Sequence, residues 1–219
     1  MSITYLQHNK VSLALHTVRE GSGRPLLLLH GLGESAARMS QIPLQWNGPI
    51  YALDFTGHGD SSIPNGGGYT AEFLMADVDI ALRHIGEPVT ILGRGLGGYV
   101  GFLISCGRAA LVRGLVIIDG PGLAGGASNI VSTTEIASVG KRSGRTPDPW
   151  ALIELSRDAR PASYASSFLR LAVANSGIEE PISLATKVSP KWMEALKPEV
   201  GVVTDISMQE ALDIYAAIK

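Results

Sequence analysis

The stretch Val89-Thr-Ile-Leu-Gly-Arg-Gly-Leu-Gly-Gly-Tyr-Val100 limits what this chain can fold into more than any other part of it. Residues 89–92 form an apolar run short enough for a strand buried on both faces. Glycines at 93, 95, 97 and 98 then allow a sharp turn in which backbone approaches backbone closely. The apolar residues from Leu96 to Cys106 follow with the character of a helix. A strand that turns directly into a helix is the repeating unit of a parallel sheet with helical crossovers.

The same rhythm runs along the chain. Residues 3–19 read as two strands joined at His8-Asn9-Lys10, and Leu26-Leu-Leu-Leu29 is a buried strand ending in His30-Gly31-Leu32-Gly33. A helix is expected between Glu34 and Trp46, and a strand at 50–54. Thr70 can cap a helix to about His84, because Leu74, Val78, Ala81, Leu82 and Ile85 share one face. After the strand at 115–118, residues 123–146 are rich in Gly, Ser and Thr and read as a loop or flap. Helices are expected at 149–155 and 164–175, and then a strand, helix, strand and helix at 181–188, 190–196, 200–204 and 208–218. The expectation is one α/β domain with a doubly wound, mostly parallel eight-stranded sheet. Its core would be about 1–122 and 181–219, with the flap and a reduced helical cap at about 123–180.

A chain of 219 residues suits one full core. A formal charge of −2 without any basic run argues against a nucleic-acid partner. The first ten residues lack the basic start and apolar centre of a signal peptide, and no apolar run approaches the ~18 residues that span a bilayer. The single cysteine, Cys106, fits a reducing cytoplasm and a packing role. No metal and no cofactor are expected; Gly120-Pro-Gly-Leu-Ala-Gly-Gly126 lacks the Lys-Ser/Thr of a phosphate-binding loop and reads as a flexible exit into the cap.

His30-Gly31 after the third strand, Asp54 with Gly57-His58-Gly59-Asp60-Ser61 after the fourth, Gly93-x-x-x-Gly97-Gly98 at the turn and Asp119 ending the sixth come in the order of a known family. On those motifs the chain resembles the α/β-hydrolases over nearly its whole length. The resemblance implies a G-x-S-x-G nucleophile elbow and a triad in the order Ser, Asp/Glu, His. At the serine position stands Gly95, which has no side chain to attack with. Lys187-Val188-Ser189 follow the seventh strand and Asp205-Ile206-Ser207 the eighth, where the acid and the histidine would stand. All five histidines (His8, His16, His30, His58, His84) precede the elbow. A serine hydroxyl needs a base, and the base an orienting partner, so an ordinary serine hydrolase is not expected.

What the resemblance leaves is the surround of the elbow. The amides of Leu32 and Leu96 would form an oxyanion hole, the start of the 96–106 helix would favour an anion, and Arg94 would add a positive charge. Gly31, Leu32, Arg94, Gly95 and Leu96 are therefore expected to line a pocket for a small, anionic molecule, unless Arg94 simply pairs with Asp119 or Asp54. The alternatives are a non-serine enzyme of the hydrolase, lyase or cofactor-free oxygenase type using His30 and Asp119, and a structural scaffold. In the last case the cap residues Trp150, Leu152, Leu155, Tyr164, Phe168 and Leu171 would serve as an interface, which leaves a homo-oligomer open.

Overall fold

The computed structural model describes residues 2–123, 146–156 and 160–218. Strands β1 (Ser2–His8) and β2 (Val11–Arg19) form an antiparallel hairpin. β2 also pairs antiparallel with β4 (Ile50–Leu53), and β3 (Leu26–Leu29) lies parallel between β4 and β5 (Val89–Arg94). β6 (Val112–Ile118), β7 (Ile182–Ala185) and β8 (Val202–Val203) extend the parallel part, giving the order β1-β2-β4-β3-β5-β6-β7-β8. The eight-stranded, mostly parallel sheet is the expected one.

Successive side chains of a strand point to opposite faces, and here both faces are covered. Leu27, Leu29 and Ile91 join the apolar core under helices α2 (Ala71–Ile85) and α3 (Leu96–Gly107), while Leu26, Leu28 and Leu92 join the core on the other face. That second face is closed by α1 (Ala36–Met39) and by the last helix of the chain. Burial on both faces is why these strands read as unbroken apolar runs.

The helix boundaries follow from local chemistry. Thr70 Oγ1 accepts from Phe73 N at 3.2 Å and Gly86, at φ +77°, closes α2 through its N–H to Leu82 O. The expected helix between Glu34 and Trp46 is a single turn, α1, which ends well before Trp46. Helices α4 (Pro149–Glu154) and α5 (Ala162–Asn175) match the two expected in the cap. Leu155 and Leu169 are buried and Tyr164 and Phe168 pack on the core, whereas Trp150 and Leu171 are exposed. The strand expected at 181–188 is cut to four residues, paired between β6 and β8, and the one at 200–204 is cut to two at the sheet's edge. Helices α6 (Lys191–Leu196) and α7 (Met208–Ala217) follow them, α7 opening with a Ser207–Glu210 capping box. Most of the flap expected at 123–146 lies outside the described residues. Among the described residues no helix is long and apolar enough to cross a membrane.

Candidate functional site

The site forms where β5 turns into α3. Gly95 sits between them at φ +54° and ψ −120°, a conformation that side chains rarely adopt. The neighbouring glycines serve a different need. A Cβ on Gly97 would lie 2.3 Å from Leu29 O, because α3 starts directly against the end of β3. The turn therefore has the strained strand-to-helix form expected at this position.

The surround of that turn is not open. The segment Asp119-Gly120-Pro121-Gly122, leaving β6, folds across it. The carbonyl oxygen of Pro121 accepts from Leu96 N at 2.8 Å and from Leu32 N at 3.0 Å. The expectation of free amides is thereby corrected, since both donors are already paired with the chain's own backbone. A Cβ on Gly95 would meet Pro121 O at 2.1 Å and Gly120 C at 2.6 Å, and one on Gly31 would meet the Pro121 ring at 2.8 Å. The pocket expected to be lined by Gly31, Leu32, Gly95 and Leu96 is thus filled at Gly95 by a carbonyl. Residues 120–126 read as a flexible exit, but residues 120–122 are packed, and Gly120 and Gly122 allow the close approach.

Arg94 is part-buried, and its partner is Glu34 rather than Asp119 or Asp54. Glu34 Oε1 also accepts from Arg38 Nε at 3.1 Å, and Oε2 from Gly31 N at 3.1 Å. Burial pushes the Glu34 carboxyl up, but Arg94, Gly31 N–H and Arg38 together outweigh it and hold the group below its ordinary value. Glu34 was not singled out in the sequence; an acid just after a His-Gly-Leu-Gly turn, within reach of an arginine at the elbow, was the available signal.

His30 is fully buried, with Nδ1 2.7 Å from Gly31 O and Nε2 accepting from Phe55 N at 3.1 Å. The neutral ring protonated on Nδ1 satisfies both contacts, and burial lowers its pKa. Neither nitrogen is left to move a substrate proton. His58 packs 5.0 Å from His30 between ring centres and donates through Nδ1–H to Thr56 O at 3.1 Å. Its Nε2 is the buried side-chain nitrogen without a partner among the described residues, and burial, reinforced by His30, pushes its pKa down to about 3. Asp119 accepts from Lys187 N at 2.8 Å and Val188 N at 3.0 Å, so its carboxylate ties the exit of β6 to the loop after β7. The structure does not bring His30 and Asp119 into contact with each other.

One cluster lies further back. Asp54 is buried, with Oδ1 accepting from Ala36 N at 2.6 Å and Oδ2 from Asp60 N at 2.9 Å and from His16 Nε2 at 2.8 Å. His16, Asp54 and the exposed Asp60 offer ligand atoms within 4.8 Å of one another. The lone pairs of Asp54 are committed to holding α1, the turn after β4 and β2 together, which is a structural use of the group.

The alpha/beta hydrolase family model matches residues 26–214. The soluble epoxide hydrolase of Corynebacterium sp. (strain C12) is 33% identical over 120 residues, 53% of this chain and 42% of that protein. The (E)-2-((N-methylformamido)methylene)succinate hydrolase of Acinetobacter baylyi is 29% identical over 108 residues, 48% of this chain and 41% of that protein. The matches thus span less than half the length of these curated relatives. Among solved structures, the haloalkane dehalogenase DatA from Agrobacterium tumefaciens C58 superposes with a TM-score of 0.63 at 20% identity, over 93% of this chain and 87% of that one. A thermophilic esterase from Thermogutta terrifontis gives 0.61 at 16% identity, over 99% and 93%. At these identities the likeness is one of fold.

Proposed function

This chain belongs to the alpha/beta hydrolase family, and from that premise we propose that it is a member without serine-hydrolase activity, one that recognises a small anionic molecule instead of cleaving an ester. The observation that carries the absence of ester cleavage is the hydrogen bonding at the elbow, where Pro121 O takes both Leu32 N and Leu96 N in the space a nucleophile side chain on residue 95 would need. Anion recognition rests on the part-buried Arg94 beside the turn. An oxyanion hole stabilises a tetrahedral intermediate only if its donors are aimed at the developing charge. Here those donors are paired with a backbone carbonyl. The residues elsewhere agree. Gly95 offers no nucleophile, the turn after β8 carries Asp205-Ile206-Ser207, and the nitrogens of His30 and the oxygens of Asp119 are engaged in the fold. Triad members act as a unit, so a single surviving member supplies little catalysis.

The relatives named above include an epoxide hydrolase, so hydrolysis is the alternative to be tested. A fluorophosphonate probe that labels activated serines is incubated with the protein, alongside a panel of short-chain nitrophenyl esters. No labelling and no turnover above buffer are expected. Stoichiometric labelling, or turnover that survives repurification, would overturn the proposal.

A further inference from the structure

We propose that the cleft beside Arg94 is a binding site for a short-chain aliphatic carboxylate, its head group on the Arg94 and Arg38 guanidiniums and its chain on Met39, Ile42 and Pro43. The cleft has a volume of about 280 Å³ and is bounded by these residues together with Glu34 and Gln41. That is near the lower end of ligand clefts and so suits a molecule of few atoms. Its charge is unbalanced. Two guanidiniums meet one carboxylate, and Glu34 Oε1 accepts from both. Arg94 binds Glu34 through Nη1 and Arg38 through Nε, and their other N–H groups make no hydrogen bond among the described residues.

A guanidinium presents its donors as a planar fork that matches a carboxylate, which favours a carboxylic acid. The lining also has apolar members: Met39 is buried, Ile42 half-buried and Pro43 exposed, and a methionine side chain adapts readily to an alkyl chain. Pro121 closes the elbow amides to an anion, which leaves the guanidinium of Arg94 as the positive group beside the turn that lines a cleft. The site deepens the reading above by naming the ligand class, and it depends on that reading for anion recognition but not for catalytic silence.

The test is a protein-observed NMR titration of the full chain with hexanoate, with hexan-1-ol and inorganic phosphate as controls. Hexanoate should shift the amides of Gln41 and Ile42 saturably, and hexan-1-ol and phosphate should do so much more weakly. Arg38→Ala, at an exposed position on α1, should weaken hexanoate by about tenfold, the loss expected of one charge-assisted hydrogen bond. Arg94→Ala should weaken it at least as much. Equal responses to hexanoate and hexan-1-ol, unchanged binding by Arg38→Ala, or shifts confined to Leu32 and Leu96 would each overturn the site. Ester turnover with intact hexanoate binding would sink the catalytic reading and leave this site standing. Absent hexanoate binding in a protein that also turns over no ester would remove this site alone.

Discussion

A Cβ placed on Gly95 would lie 2.1 Å from the carbonyl oxygen of Pro121. The bare α-carbon at the elbow and the carbonyl lying over it are therefore one packing feature. Where a side chain stood at residue 95, the segment 120–122 could not lie where it does. Both Leu32 N and Leu96 N would then lose their shared acceptor.

Gly95→Ala and Gly95→Ser should accordingly destabilise the protein by similar amounts. Strain at a positive φ and the loss of two backbone hydrogen bonds together amount to about 3 kcal/mol or more. Urea denaturation measures this, read from the midpoint at constant slope. If Gly95→Ala is neutral, Pro121 does not lie on the elbow. Gly95→Ser should gain no esterase activity, since the hydroxyl would have no histidine behind it.

Asp119→Ala should cost about 1–2 kcal/mol, because Lys187 N and Val188 N lose a charged acceptor at a half-exposed position where water partly replaces it. Asp119→Asn keeps one acceptor oxygen and should recover part of the loss. A role confined to chemistry would leave the denaturation midpoints of all three proteins the same.

Stability should fall as the pH drops below 6.5. His58 is held neutral in the fold, down to about 3, while its unfolded counterpart takes a proton from 6.5 downward. Between those values the unfolded state binds more protons, so stability rises with pH across that window. At pH 5 the loss from His58 is about 2 kcal/mol relative to pH 7.5, and His30, also lowered by burial, adds to it. His8 works with the opposite sign. Its hydrogen bond to Asp77 raises its pKa, so its contribution is full below 6.5 and is lost as pH climbs through the folded value. Denaturation of wild type and His58→Gln at both pH values gives the slope, which should flatten in the variant.

Asp54→Ala should be among the most damaging single changes, at about 3 kcal/mol or more. It removes a buried acceptor from Ala36 N, Asp60 N and His16 at once. His16→Ala, which leaves two of those partners in place, should cost less. Thermal unfolding of the two variants ranks them, and the reverse order would move the centre of the cluster to His16.

The order and type of the elements could be read from the residues because each signal is local. Unbroken apolar runs mark strands buried on both faces, and Thr70 with Gly86 marks the ends of α2. The resemblance also points to the strand-turn-helix at the elbow, where Gly93 is demanded by the backbone of Gly97 and Gly98, Gly97 by that of Leu29, and Gly98 by the Ile117 side chain. The helix expected before Trp46 is only the single turn α1, and Pro43, which lacks a backbone N–H, is the local signal against a longer one.

What no stretch of sequence could supply is which distant groups meet. Glu34 rather than Asp119 or Asp54 holds Arg94, across sixty positions, because β3 and β5 lie side by side in the sheet. The carbonyl over the elbow is less legible still: every residue has one, and only the packing of β6's exit on Gly31 and Gly95 selects that of Pro121. Alone, the sequence determined the sheet, its helices and the bare α-carbon at residue 95, since propensity and sterics act over short spans. Tertiary structure decided whether the space beside that carbon is open or filled, since this depends on long-range approach of backbone that carries no side-chain signature.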